Sequence, residues 1–278
     1  MQKIGFSLQS SYSMPLPEVV KLLGAIGVTA VSPVRPRDGS LKELVCSAEH
    51  RGLQLQSLHG PVWGLDAMWS RDRDRSAPIL QDVLSAIEDC ATYDFPVLVI
   101  HSWGGLHYTF REEDLFFDHF DTVVEYAQRA GIQIAFENLE GPEYLTALMT
   151  RYAGLDTVGL CWDSGHELCY TPNQDALAAY GNRLLITHLN DNFGITHPEG
   201  LLQGTDDLHL LPGDGIALWP QIVCRLRQAR QQEILNFELK IRPKGDRCKT
   251  DLYSHIPLEQ YLTQAYQQAS QAVSGYFE

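Results

Sequence analysis

Val158-Gly159-Leu160-Cys161-Trp162-Asp163, a short apolar run closed by a carboxylate, is the stretch whose reading decides the fold. Its length and composition read as a strand. The same form recurs on either side. Ile132-Gln133-Ile134-Ala135-Phe136 runs into Glu137, and Leu184-Leu185-Ile186-Thr187 into His188. Further out, Leu55-Gln56-Ser57-Leu58 runs into His59, Val97-Leu98-Val99-Ile100 into His101, and Ile234-Leu235-Asn236-Phe237 into Glu238. Every one of these segments ends in a residue that can bind a metal. Parallel strands in a closed barrel deliver their C-terminal ends to one face, where loops build the active site. A single strand-end histidine is ordinary, but an ordered series of such endings predicts convergence on one point. Carboxylates and imidazoles buried together without a cation would cost on the order of a few kcal/mol each. A divalent-metal enzyme is the expectation.

Between these strands lie amphipathic helices. Strand one reads as Ile4–Leu8 and its helix as Leu16–Ile26, closed by Gly27. Strand two is Val28–Val34, and its helix opens with Ser40 and Glu43 at capping-box spacing and stops at Gly52. Further helices are expected near Ala77–Tyr93, Glu112–Ala130, Tyr144–Tyr152, Gln174–Tyr180, Ile216–Arg230 and Leu258–Ser274. The Glu112–Ala130 stretch repeats apolar residues at Leu115, Phe116, Phe120, Val123, Val124 and Ala127, the period of a helix face. Alternation of strand and helix implies a parallel sheet, and eight units with nothing left over imply closure into an α/β (β/α)8 TIM barrel. No linker, low-complexity tract or charge block divides the chain, so residues 1–278 read as one domain. Connections after the strands are longer than those before them, which loads extra chain onto the catalytic face.

Composition sets further bounds. A chain of 278 residues suits one barrel, and 44% hydrophobic with 20% charged residues is ordinary for a globular protein. Cys46, Cys90, Cys161, Cys169, Cys224 and Cys248 form no C-x-x-C pair, which fits a reducing compartment. The start, Met1-Gln2-Lys3-Ile4-Gly5, lacks an apolar run long enough for a secretory signal, and no stretch approaches the roughly 20 apolar residues of a membrane span. A cytoplasmic protein is expected. A net charge of −14 disfavours a broad polyanion-binding surface.

Glu137, Asp163, His188 and Glu238 close strands five to eight. Three carboxylates with one imidazole make a hard, oxygen-rich donor set that suits Mn²⁺, Mg²⁺, Fe²⁺, Co²⁺ or Zn²⁺. Nearby, Asp163-Ser164-Gly165-His166 adds a second histidine, Asp207-Leu208-His209 repeats the carboxylate–imidazole pair, and His59 and His101 complete the ring.

These residues, in this order, carry a resemblance. Leu58-His59-Gly60-Pro61, Ile100-His101, Phe136-Glu137-Asn138, Cys161-Trp162-Asp163-Ser164-Gly165-His166, His188-Leu189-Asn190-Asp191-Asn192, His209 to Gly215, and Phe237-Glu238-Leu239 together resemble the xylose-isomerase-like barrel superfamily over nearly the whole chain. That superfamily holds sugar and sugar-phosphate isomerases and epimerases, with family 2 apurinic/apyrimidinic endonucleases. The resemblance implies one divalent metal on Glu137, Asp163, His188 and Glu238. Glu137 and Glu238 would act as catalytic base and acid on opposite faces of a ketose carbon, through an enediolate. It further implies that His166 bonds a substrate oxygen, with His59 and His101 lining the same pocket, and Trp63 and Trp103 are placed to cover the sugar's apolar face. Lys240, Arg242 and Lys244, after strand eight, suit a phosphate group, which barrels often bind there. The free-ketose 3-epimerases carry an arginine shortly after the strand-seven histidine, whereas this chain has Asn192-Phe193-Gly194.

The endonuclease branch implies a larger set for three zinc ions: His59, His101, Glu137, Asp163, His166, His188, Asp207, His209 and Glu238. All nine are present here. A zinc cluster of that kind makes hydroxide at neutral pH. Gripping and bending a duplex needs basic and wedging residues on several loops, however. His59 to Asp66 and His101 to His107 carry no Lys or Arg, and Asn190 to Gly215 carries Asp191, Glu199, Asp206, Asp207 and Asp214. The local run Arg71, Arg73 and Arg75 reads as a solvated helix start. The leading expectation is therefore a metal-dependent isomerase or epimerase of a small sugar or sugar phosphate, without nucleic-acid or membrane partners, and a homodimer is conceivable from the habits of the group. The alternatives are a zinc phosphodiesterase, a polyol dehydratase and a non-catalytic sugar-binding barrel.

Overall fold

Strict alternation along the strands separates two apolar populations. The computed structural model describes residues 3–9, 12–242 and 251–278. Its strands are β1 (Ile4–Leu8), β2 (Ala30–Pro33), β3 (Gln54–Leu55), β4 (Leu58–His59), β5 (Val97–His101), β6 (Gln133–Glu137), β7 (Val158–Asp163), β8 (Leu184–His188) and β9 (Leu235–Phe237). Val97, Val99, Ala135, Cys161 and Ile186 pack together as a small cluster of their own. Their strand neighbours Leu98, Ile100, Ile134, Phe136, Leu160 and Trp162 belong instead to the large outer core under the helices. Side chains on successive strand residues point to opposite faces, so the first group fills the barrel and the second its outer layer.

All strand pairs are parallel, in two arcs ordered β3-β2-β1-β9 and β4-β5-β6-β7-β8. Parallel bridges join the arcs at Val34 with His59 and at Leu189 with Phe237, closing the barrel. Leu189 N–H donates to Asn236 O (2.9 Å) and Glu238 N–H to Leu189 O (3.1 Å), which completes the second seam. The expected third strand is broken: β3 pairs with β2, β4 with β5, and Gln56-Ser57 lies between. Gln56 N–H still donates to Val31 O at 3.0 Å, but pairing with β2 resumes only at Val34 with His59, so the third strand carries one residue more than β2 over this stretch and bulges between its two halves.

The helices are α1 (Leu16–Ile26), α2 (Leu41–His50), α3 (Arg73–Thr92), α4 (Asp118–Ala130), α5 (Pro142–Arg151), α6 (Ser164–Cys169), α7 (Ala176–Tyr180), α8 (Trp219–Gln228) and α9 (Leu258–Ala272). α4 buries Phe120, Val123, Val124 and Ala127 as its period requires, but residues 112–114 form a separate 3₁₀ turn. Ser40 precedes α2 without capping it through its side chain. Its own N–H is instead held by Asp38 Oδ1 at 3.0 Å, so the capping box does not form. Asp72 does cap α3, accepting from Asp74 N–H at 3.0 Å, and the neighbouring Arg73 and Arg75 are exposed on its first turn. Among the described residues, no helix is long and apolar enough to cross a membrane.

Candidate metal and active site

Each principal site residue stands at the C-terminal end of its strand, above the small interior cluster. Register aligns His101 with Glu137, Glu137 with Cys161, and Asp163 with His188, so neighbouring strands present their donors at adjoining levels. Donor atoms of Glu137, Asp163, His188 and Glu238 all lie within 4.8 Å of one another, and all four residues are buried. The convergence expected from the strand endings is present.

Glu137 is the hub. Its Oε1 lies 2.9 Å from His188 Nδ1, and its Oε2 lies 3.2 Å from His59 Nε2 and 3.3 Å from His101 Nε2. His188 Nδ1 also lies 2.6 Å from Glu238 Oε2, so one imidazole nitrogen sits between two carboxylates. That Glu238 oxygen is nonetheless buried with no hydrogen-bond partner. A heteroatom packed so close without donor alignment fits a cation shared by the surrounding oxygens, and the three-carboxylate, one-imidazole set is the chemistry for it.

A second group adjoins the first. His209 Nε2 lies 2.7 Å and His166 Nε2 3.4 Å from Asp207 Oδ1, and these three residues also have donor atoms within 4.8 Å of each other. His59, His101 and Glu137 form a third such group. All nine residues of the larger set are therefore gathered in adjoining groups, His166 Nδ1 lying 3.5 Å from Glu137 Oε1 and 3.7 Å from Asp163 Oδ2.

Burial and charge act against each other here. Burial alone would raise Glu137, but contact with His188, His101 and His59 holds its carboxyl well below the usual range. Burial likewise opposes ionisation of Glu238, yet His188 and His209 lower it. Asp163 goes the other way, raised by burial despite His166 and His209. Burial disfavours the His166 cation, but Asp163, Asp207 and Glu137 together push it up to about 10. His188 is raised well above the ordinary imidazole value, with burial outweighed by its anionic surroundings. Without a cation, the acids draw protons onto these imidazoles; a metal would take that place.

Several orienting residues were not anticipated. Asn190 Nδ2 donates to both Asp163 oxygens, at 3.0 and 2.9 Å. Asn138 Oδ1 accepts from Asp163 N–H at 2.7 Å, and its carbonyl meets His166 Nδ1 at 3.0 Å. Gln9, just beyond β1, donates to Glu238 Oε1. The only sequence signal for the asparagines is position: each follows a strand-end ligand within two residues.

The remaining candidates divide. Lys240 is nearly buried, its Nζ 3.8 Å from Asp207 Oδ2, and so stands at the pocket. Arg242 is exposed, and Lys244 and Cys248 lie outside the described residues. Trp103 stacks on Tyr144 with ring centroids 4.0 Å apart and Nε1 donating to Gly105 O, an arrangement of loop packing. Trp63 is 79% exposed.

An eight-stranded parallel barrel with a carboxylate-rich donor cluster at its C-terminal mouth defines a class of (β/α)8 metal-site proteins. The chain belongs to the xylose isomerase-like TIM barrel family, which it matches over residues 20–257. An uncharacterized Sinorhizobium fredii protein, y4fM, is 36% identical over 129 residues, covering 44% of this chain and 38% of that one. The match thus spans well under half of that relative's length. Among solved structures, the IOLI protein with a bound zinc atom superposes with a TM-score of 0.75 at 19% identity, covering 100% of both chains. L-ribulose 3-epimerase superposes with a TM-score of 0.74 at 15% identity, covering 100% of this chain and 96% of that one. At such identities these likenesses establish the fold.

Proposed function

We propose that the protein is a divalent-metal-dependent isomerase or epimerase of a small sugar or sugar phosphate, moving a proton next to a carbonyl. The observation that carries this reading is the placement of Glu137 and Glu238 against the same His188 Nδ1, at 2.9 and 2.6 Å. A cation held by Glu137, Asp163, His188 and Glu238 would supply Lewis-acid polarisation of a substrate carbonyl when bound.

The chain's own residues supply the rest. Proton transfer in both directions needs two carboxylates of unequal proton affinity. Glu137 has the imidazoles of His59, His101, His166 and His188 within 3.5 Å, whereas Glu238 has the amide of Gln9, His188 at 2.6 Å and His209 at 3.9 Å, so the two acids differ in environment. Glu238 Oε2, which has no hydrogen-bond partner, is the atom best placed to hold a proton in transit. His166 and Lys240 line the same mouth and suit substrate oxygens. The sugar-epimerase neighbour supports the reading, and among the described residues Cys46, Cys90, Cys161, Cys169 and Cys224 are free thiols, which fits a reducing, cytoplasmic setting.

A phosphodiesterase reading draws support from one observation, the His166–Asp207–His209 group beside the first. Incubation in D₂O with a panel of ketoses and ketose phosphates separates the two. The proposal expects solvent deuterium at the carbon next to the carbonyl. No exchange across the panel, with nicking of abasic duplex DNA, would overturn it.

A further inference from the structure

Of the donor groups at the barrel mouth, the His166–Asp207–His209 group has a cation of the protein's own beside it. Lys240 lies two residues after Glu238, on the extension of β9, and its N–H donates to His209 O at 3.0 Å. That bond pins the lysine backbone to the loop carrying Asp207 and His209. Its side chain is only 10% exposed, and its Nζ lies 3.8 Å from Asp207 Oδ2. The other carboxylate oxygen, Oδ1, faces His209 Nε2 at 2.7 Å and His166 Nε2 at 3.4 Å. Asp207 is therefore flanked by an ammonium on one oxygen and by imidazoles on the other.

We infer that Lys240 fills, with its ammonium, the charge position at which the His166–Asp207–His209 group would otherwise take a divalent ion of its own. The inference rests on the reading that Glu137, Asp163, His188 and Glu238 hold one cation. Charge decides the matter. With neutral imidazoles, the buried carboxylates Glu137, Asp163, Asp207 and Glu238 carry four negative charges, and Lys240 offsets one. One dication leaves the pocket with a single net negative charge. A second, placed at Asp207, would leave an excess positive charge in a buried volume and force two cations to share one carboxylate. Without the lysine, two dications would balance the four carboxylates. The Asp207 group is also poorer than the first, since it offers one carboxylate instead of three. Among the described residues no Lys or Arg pairs with Glu137 beside His59 and His101, and the inference concerns the Asp207 group alone. Its consequence is chemical: a lone Lewis acid suits enolisation, whereas a neighbouring ion at Asp207 would serve hydroxide generation and leaving-group stabilisation.

The test counts ions. The full chain, stripped with chelator, is dialysed against Co²⁺ and its cobalt content measured, with visible spectra recorded alongside. Lys240→Gln should bind one cobalt more than the unaltered protein, with a new d–d absorption, and Lys240→Gln/Asp207→Asn should return to the original count. Asp207→Asn alone should leave the count of the unaltered protein unchanged, and this arm decides should Lys240→Gln not fold. Equal counts for Lys240→Gln and the unaltered protein, or loss of one ion in Asp207→Asn alone, would overturn the inference. An unaltered protein that binds no cobalt would instead sink the metal reading beneath it.

Discussion

The proposed function asks Glu238 to do two things that pull against each other. As a ligand it must stay ionised, and as a proton carrier it must exchange. Its surroundings reconcile them: His188 and His209 hold the carboxyl low, while Oε2 keeps a lone pair without a hydrogen-bond partner. Replacing Glu238 by Gln keeps the volume and removes the proton acceptor. Turnover should fall by about 10²–10⁴-fold, the usual worth of one general acid or base. The unfolding midpoint of the metal-free variant should drop, because a carboxyl held low in the folded state contributes stability at neutral pH that the neutral amide lacks. Steady-state kinetics and calorimetry check both parts; a variant with full turnover would remove Glu238 from the chemistry. At this scale the convergence of the strand-end donors was legible in the sequence, because strand-end position and residue type suffice to name the candidates. The residues that aim them were not. Asn190, Asn138 and Gln9 reach their partners through contacts between elements distant in the chain, and an amide near a strand end has no distinctive pattern.

Elements carried by local apolar pattern are where sequence and structure agree best. Ile4–Leu8, Val97–His101, Val158–Asp163 and Leu184–His188 begin and end as their composition predicts. The third strand is not continuous, since it carries one residue more than β2 between Leu55 and His59, a register offset no local pattern encodes. Helix α6 was also missed, as six residues starting at a strand-end aspartate are too few to show a period. Yet α6 matters. Asp163 caps it, accepting from His166 N–H at 2.7 Å, so the same carboxylate starts the helix and faces the site. Its second residue, Gly165, leaves no room: a Cβ there would meet Asn190 Oδ1 at 1.8 Å and Asn192 Nδ2 at 2.5 Å. Gly165→Ala should displace Asn190 from Asp163 and weaken metal affinity by about 10–100-fold, the scale of losing a ligand-orienting contact. Competition titration with a fluorescent chelator reads the shift. An unchanged affinity would show that the Asn190 clamp has no part in holding Asp163.

The whole molecule stores proton charge at its centre. His166, pushed up to about 10, and His188, also raised well above its ordinary value, keep protons in the folded state that the unfolded chain releases near the ordinary imidazole value of 6.5. A raised folded-state value stabilises fully below about 6.5, and that contribution disappears as the pH climbs through about 10. Glu137 and Glu238, held low, add nothing to the change over this window. Chelator-treated protein should therefore lose thermal stability between pH 6.5 and 10, and saturating Mn²⁺ should flatten the loss by standing in for the protons. Parallel slopes with and without metal would contradict this. Around that centre the chain carries a net charge of −14, which favours a small neutral or phosphorylated guest over duplex DNA only if the mouth itself is neutralised by a bound cation. Anomalous diffraction from crystals grown with Mn²⁺ tests that point most directly. The expected result is a manganese peak ligated by Glu137, Asp163, His188 and Glu238 together. No peak at the barrel mouth, or one confined to His166, Asp207 and His209, would contradict the account.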